Sequence, residues 1–465
     1  MEEMKPRALE WIDERAEWLS SIAKDIWLHP ELAMEEHYCS ALVADTLERE
    51  GFVVERGVAG MPTAFVATWG SGSPTVGFLC EYDALPGLSN DTVAERKPLV
   101  EEGPGHGCGH NLIGAGTAGA GMAVRSVLAE KKLPGTVKVY GTPAEETLAG
   151  KVFMAREGIF DGMDACLTWH PSWFNEINYE TCLALYSIKF TFRGQTCHIP
   201  SRPQDGKNAI DSVELMNVAA NMRRKHLPPG MTFEYVVLRG GAFPNVVPDL
   251  AEVWYFVRAH EVGQVKAGVE ELQNAARGAA LALGTEVTWR ILTGCYPLLP
   301  NRTFSELLYE NFQQVGPPQF SQEEQAFAEE LRKTFEMREG EPLHTGLRFI
   351  GDRVGPFSQD AGDVSRLCPL ALVHASSWLR GVSNHTWPVT VTSGMSIGFK
   401  AMITATQVMA LGALDLFTKP ERLRAIRQEF RERTGSFQYE CLAPAEVQPL
   451  EFGEKAASLQ IGSLS

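Results

Sequence analysis

Between Gly103 and Asn111 the chain reads GPGHGCGHN, which sets His106, Cys108 and His110 on alternate positions of a run broken by glycine. Alternate residues of an extended segment point to the same side, so two imidazoles and a thiol can converge, and the glycines let the backbone turn without a Cβ clash. Nitrogen and sulfur donors suit zinc best, with manganese, cobalt and nickel as alternatives. Taken alone, the run also reads as a surface loop that happens to hold two histidines and a cysteine.

Further donors follow downstream. A strand pattern at 136–141 runs into TPAEE, where Glu145 and Glu146 are adjacent. In a near-extended turn neighbouring carboxylates diverge, so one can ligate a metal while the other faces water. A divalent metal acidifies water that it binds, and a carboxylate beside it can accept the proton as the nucleophile forms. The other reading of the pair is a solvated acidic start to a helix at 149–157, because acidic residues favour a first turn. A strand at 165–169 then delivers His170 before Pro171, and His385 sits in SNHTWP ahead of a helix of small and apolar residues. In EYDALPG, Asp83 stands just past the strand of 76–80, where open α/β sheets place residues that support an active site. His29 and His37, flanking PELAMEE, read as capping or surface histidines.

These donors must be carried by a large α/β body. With 465 residues, 44% of them hydrophobic, the chain can bury a large core over two or three domains. Apolar spacing predicts a helix over 7–28, a second to about residue 50, and strands at 52–55, 64–69 and 76–80. The helix at 112–131 contains a literal G-x-G-x-x-G at Gly114, Gly116 and Gly119, but no strand precedes it, so the glycines read as close helix packing rather than dinucleotide binding. From 184 to 295 the pattern becomes β-α-β-β-α-β, a ferredoxin-like unit inserted between a first catalytic part, 1–183, and a second, 296–438. The second part carries helices at 302–315 and 322–337, a strand at 371–374, and Asp360 and Asp363 in a turn-rich stretch. The tail, 439–465, loses periodicity and reads as partly disordered or laid on a neighbour.

A formal charge of −16 argues against nucleic acid or an anionic membrane as partner and leaves a small molecule. Nine scattered cysteines read as free thiols of a reducing compartment. The acidic N-terminus and the lack of an unbroken run of about 18 apolar residues complete the expectation of a cytoplasmic protein.

In the order EYDALPG, GHGCGHN, PAEE, His170-Pro171, the loop of His198, NVVPD and NHTW, the chain resembles the metallo-amidohydrolases of the aminoacylase and carboxypeptidase family over nearly its whole length to about residue 415. The resemblance implies a metallopeptidase-like catalytic domain with a dimerisation domain inserted, and a homodimer or higher oligomer. It implies Cys108, His110, Glu146, His170 and His385 as ligands of one or two divalent metals, manganese or zinc, and leaves His106 out. It also implies Glu145 as general base and His198 reaching the active site of a neighbouring subunit, with Asp83, placed by its strand end, as a third residue of the catalytic set. Asn245 and Arg258 match positions near the family's domain junction that suit an anionic substrate, while Arg202, Arg366 and Arg380 offer further carboxylate partners. CHIPSRP, SNHTW and SWLRGV depart from the family's usual residues, so the pocket is altered. The expected reaction is amide hydrolysis of an N-acyl or N-aroyl amino acid. Hydrolytic deamination of an aromatic amine such as 5-nitroanthranilate, which a few relatives perform, is the alternative. From another class, the alternative is a catalytically silent metal-binding scaffold, which would have no reason to keep Glu145.

Overall fold

The computed structural model describes residues 3–335 and 340–449. The body opens with helices α1 (Met4–Glu14), α2 (Ala16–Leu28) and α3 (His37–Arg49), followed by strands β1 (Val53–Arg56), β2 (Phe65–Ser71) and β3 (Thr75–Cys80). Then come α4 (His110–Lys131), β4 (Gly135–Gly141), α5 (Gly150–Arg156), β5 (Ala165–Ser172) and β6 (Asn175–Thr181). The insertion holds β7 (Ala184–Arg193), α6 (Ala209–Arg223), β8 (Thr232–Arg239), β9 (Leu250–Ala259), α7 (Val262–Leu283) and β10 (Glu286–Cys295). The body resumes with α8 (Arg302–Val315), α9 (Gln322–Arg332), β11 (Leu347–Val354), α10 (Ala361–Leu367), β12 (Leu370–Ser376), α11 (Trp387–Ser393), α12 (Ser396–Thr418) and α13 (Pro420–Thr434).

Eight strands form the large sheet in the order β1-β2-β4-β3-β5-β12-β6-β11. Its centre, β4, β3, β5 and β12, is parallel, so four C-terminal strand ends share one edge. Those strands are buried along nearly their whole length, which is why they read as continuous apolar runs rather than alternating ones. The insertion is a separate antiparallel sheet, β10-β7-β9-β8, with α6 and α7 packed together on it. This is the ferredoxin-like arrangement read from its periodicities.

Although the chain has no unbroken apolar run of membrane length, α4 and α12 are long and apolar enough to cross a bilayer; both are mostly buried inside the fold. They pack against each other and against the sheet, and a helix covered on all sides is apolar all round. A Cβ on Gly116 would come within 2.8 Å of Met402 Cγ, and one on Gly114 within 2.9 Å of the Glu81 carbonyl oxygen. The glycine run therefore serves close packing.

Three local expectations change. The helix over 7–28 breaks at Arg15, whose φ/ψ of −112°/8° is not helical; apolar spacing continues through the break and so hides it. Strand β6 was not legible, because its sequence NEINYET is polar, yet Glu176, Asn178 and Glu180 are buried. Arg348 and Arg353, both on β11, compensate those carboxylates. The first part of the tail packs on its own chain: Leu442, Ala443 and Val447 are buried, Tyr296 Oη donates to the Glu440 carbonyl at 2.9 Å, and Arg156 donates to that of Val447 at 2.9 Å. Residues 450–465 lie outside the described residues.

Tyr439 Oη donates to Asp363 Oδ1 at 2.7 Å and the Tyr296 amide to Oδ2 at 3.0 Å. Burial pushes the Asp363 carboxyl up to about 7 against those two donors. A donor to a carboxylate favours its charged form, so Tyr439→Phe raises the folded-state pKa further, and the resulting loss of stability grows as pH rises through about 7. The expected loss is about 1–2 kcal/mol at pH 8.5 and less at pH 5.5, read from urea unfolding. An equal loss at both pH values contradicts this account.

Candidate metal centre

The expected donors meet at the C-terminal edge of the parallel strands, though not by the local geometry anticipated. Residues 106–109 form a turn closed by Gly109 N to His106 O at 3.1 Å, Gly109 is left-handed (φ 78°), and His110 is the first residue of α4. The run is therefore not extended, and His106 parts from the others: its buried Nε2 lies 3.2 Å from the Ile26 carbonyl oxygen. Cys108 Sγ lies 3.4 Å from His170 Nε2, and His170 Nδ1 is turned to the Pro171 carbonyl oxygen at 2.6 Å. β5 continues through His170 to Ser172 instead of ending before it.

Glu145 and Glu146 occupy a 3₁₀ turn, Glu145–Thr147, between Ala144 (φ 58°) and Leu148 (φ 57°), not a near-extended one. Steps of about 120° in such a turn still make the two carboxylates diverge. Glu146 Oε2 faces His385 Nε2 at 3.2 Å, while Glu145 Oε2 lies 3.7 Å from His110 Nε2. His385 is itself left-handed (φ 60°), and its amide bonds the Gly107 carbonyl at 2.8 Å, tying the late loop to the glycine run. Ligand atoms of Cys108, His110 and His170 lie within 4.8 Å of one another, as do those of Cys108, Glu146 and His385, and of Glu81, His110 and Glu145.

Asp83 organises the centre. Its Oδ1 lies 2.8 Å from His110 Nδ1, and its Oδ2 accepts from the Glu146 amide at 2.9 Å. Asp83 as acceptor fixes the proton of the neutral His110 ring on Nδ1, which in that form leaves the lone pair on Nε2, facing the carboxylates. Both His110 Nε2 and Glu146 Oε1 are buried without a hydrogen-bond partner. Burial, then the charges of Glu81, Glu146 and Asp360, hold Glu145 well above the ordinary carboxylate range. Burial and then Cys108 raise Glu146 to about 7. Burial opposes a thiolate at Cys108, but His170 and His110 outweigh it and hold the thiol well below its usual value. Electron-pair donors crowded round two orphaned buried atoms fit a divalent cation, which would satisfy both atoms at once.

The other candidates lie elsewhere. Among the described residues, no hydrogen bond or ion pair joins His198, Asn245, Arg258, Arg202 or Arg366 to the donor set within one chain. His198 is exposed in the insertion, its Nδ1 2.9 Å from Ser201 Oγ. Asn245 lies beside that loop, its carbonyl accepting from the Ile199 amide at 3.4 Å. Arg258 pairs with Glu234 at 3.2 Å, Arg202 pairs with Asp205 at 2.6 Å, and Arg366 donates to the Pro297 carbonyl at 3.0 Å. Arg380 stands five residues before His385 in the chain, with its guanidinium 5.4 Å from the ring centroid of Trp173.

Residues 185–282 match a peptidase dimerisation domain. Over 458 residues the chain is 34% identical to a p-aminobenzoyl-glutamate hydrolase subunit of Escherichia coli (strain K12), covering 92% of this chain and 95% of that one. It is 31% identical to a Homo sapiens Xaa-Arg dipeptidase, covering 93% of each. The fold is similar to that of a Bacillus subtilis dinuclear metal-binding peptidase of the M20 family, with a TM-score of 0.58, 18% identity, and coverage of 87% of this chain and 99% of that one.

Sequence reasoning missed Glu81, Lys151 and the role of Asp360. The ammonium of Lys151, fully buried, lies 2.8 Å from Glu81 Oε1 and 2.6 Å from Asp360 Oδ1, and the Lys151 amide donates to Asp360 Oδ2 at 2.9 Å. Burial works against its charge, but Asp360 and Glu81 outweigh it and raise its pKa. Glu81 had one signal, standing two residues before Asp83 at the same strand end. Lys151→Met leaves two buried carboxylates without their counter-ion and is expected to cost about 3–5 kcal/mol of stability. Adding Asp360→Leu should recover part of the loss in urea unfolding. A single variant within about 1 kcal/mol of the parent refutes the pairing.

Proposed function

Because the chain belongs to the M20 family of metal-dependent peptidases and amidohydrolases, we propose that it hydrolyses the amide C–N bond of an N-acyl or N-aroyl amino acid. Beyond family membership, the observation carrying this reading is a nitrogen, sulfur and carboxylate donor set round two orphaned buried atoms, with Glu145 beside it.

In this reading Cys108, His110, Glu146, His170 and His385 hold one or two divalent ions, manganese or zinc. The metal supplies Lewis acidity towards water and the acyl oxygen. Glu145 takes a proton from the attacking water and returns it to the leaving amine nitrogen, so the bond breaks to a carboxylic acid and a free amino acid. A carboxylate whose burial raises its proton affinity suits both halves of that task. Asp83 keeps His110 in the required tautomer. The insertion pairs two subunits into a homodimer, and His198 with Asn245 is presented to the partner's site, where an imidazole donates to the developing oxyanion. The substrate is a small carboxylate-bearing amide, a nucleic acid or membrane being disfavoured by the net charge of −16. Nine free thiols suit a reducing cytoplasm.

Incubating the manganese- or zinc-loaded protein with N-acetyl, N-benzoyl and aminobenzoyl amino acids and with aromatic amines tests the reaction. Release of free amino acid is expected, whereas ammonia alone would make the enzyme an aromatic-amine deaminase. Metal analysis should find about one to two ions per chain, and chelation should abolish turnover. Glu145→Gln should retain the metal and lose on the order of a hundredfold or more in kcat; loss of metal with activity would make Glu145 a ligand. Co-expressing Glu145→Ala and His198→Ala chains tests supply between subunits. Mixed dimers should regain one complete site, and mixed dimers as inactive as both parents would assign His198 to its own subunit or to neither.

A further inference from the structure

A basic, aromatic patch borders the donor set on the side of β12 and β6. Trp173 and Phe174 follow β5, three and four residues beyond His170, with ring centroids 5.1 Å apart and edge to face. His374 of β12 stands in register with His170 and bridges the two regions, its ring 6.2 Å from that of His170 and 5.5 Å from that of Phe174. Three basic side chains converge on Trp173: Arg380 at 5.4 Å, Arg348 at 5.6 Å and the His344 ring at 6.2 Å. Trp173, Phe174, His344, Arg348 and Arg380 are all partly exposed, so the patch opens to solvent.

The basic groups are not equally occupied. Arg348 and Arg353 share Glu176 at 2.9 and 3.0 Å, and Arg353 also bonds Glu180. Among the described residues Arg380 makes no ion pair, its side chain makes no hydrogen bond, and its Nε is buried. Its backbone is nonetheless fixed, the amide bonding the Pro342 carbonyl at 2.8 Å, and Gly340 lies against the guanidinium, where an added Cβ would stand 3.2 Å from Nη1. His344 accepts the Asn175 amide at Nδ1, 3.3 Å away, which leaves Nε2 as a proton donor. A half-buried guanidinium without a carboxylate, in a chain of net charge −16, is a place where an anion can bind. Its planar fork matches the two oxygens of a carboxylate, and the aromatic shelf holds the fork in one plane.

We propose that Arg380 and His344, supported by Trp173 and Arg348, form a subsite for a carboxylate of the substrate within the same subunit as the donor set. The subsite deepens the amidohydrolase reading and rests on it. It puts anion recognition on the catalytic domain, beside Trp173, in addition to any contribution from Arg258 across the domain junction.

Binding without turnover is the test. In the metal-loaded Glu145→Gln enzyme, calorimetry with N-benzoyl-glutamate and with its uncharged diamide separates recognition of charge from recognition of shape. Arg380→Met in that background should weaken the dianion about tenfold or more, as loss of a bidentate charge-assisted pair does, and leave the diamide within about twofold. Arg380→Lys should fall between, because an ammonium keeps the charge and loses the fork. Metal content equal to the parent's checks that the variants are folded. Unchanged dianion affinity in Arg380→Met, equal loss for both ligands, or failure of the parent to bind the dianion each overturns the subsite. Hydrolysis is scored separately on the enzyme that retains Glu145: tight, Arg380-dependent binding without amide cleavage would sink the reaction and leave the subsite standing.

Discussion

Five carboxylates, Glu81, Asp83, Glu145, Glu146 and Asp360, meet at one edge of the parallel sheet, three of them with less than 5% exposure and the two glutamates of the 3₁₀ turn only partly exposed. Their mutual repulsion in a poorly solvated space is the constraint to which the rest of the site responds. Lys151 answers for Glu81 and Asp360 through two short ion pairs. Asp83 is held by the imidazole of His110 and the amide of Glu146. Glu145 and Glu146 are left facing His110 and His385, and that residual negative charge, with the thiol of Cys108, is what a divalent cation balances.

The fold concentrates these groups because parallel strands deliver their C-terminal ends to one edge. Glu81 and Asp83 follow β3, the glutamate turn follows β4, His170 lies near the end of β5, and the loop after β12 brings His385. α4, 22 residues long, begins at His110, so the positive end of its dipole lies at the same edge and favours negative charge there, including a thiolate at Cys108. α4 can stand so close because Gly114 and Gly116 leave room for the Glu81 carbonyl just past β3 and for α12.

Short donor motifs at strand ends and at the start of α4 were legible because their residues act within a few positions of each other. GHGCGHN, PAEE and EYDALPG each announce donors, and their convergence follows once the strands are parallel. Period-two and helical spacing likewise marked the insertion from 184 to 295, since an antiparallel sheet with one covered face alternates. Lys151 was not legible because its partners lie 70 residues before it and 209 after it, and a lone lysine on a short helix looks solvated. β6 failed for a related reason: its buried glutamates are paired with arginines more than 170 residues away, which no local pattern encodes. The glutamate turn was placed correctly but given the wrong backbone, since the left-handed conformations of Ala144 and Leu148 run against residue preference and are imposed by tertiary contacts.

Those contacts also connect the insertion to the chemistry. β7 and β10, the strands by which the insertion leaves and rejoins the body, are neighbours, with Leu185 opposite Cys295. Thr293 on β10 donates from Oγ1 to the Leu148 carbonyl at 3.0 Å, while the Leu148 amide closes the glutamate turn on the Glu145 carbonyl at 2.7 Å. From the other side, Glu36 Oε1 accepts the Ala144 amide at 2.8 Å, so both left-handed residues are pinned. The position of Glu145 is therefore set jointly by the N-terminal helices and by the root of the inserted domain. The inserted unit, most of which matches a peptidase dimerisation domain, thus also braces the turn carrying Glu145, since β10 reaches that turn through Leu148.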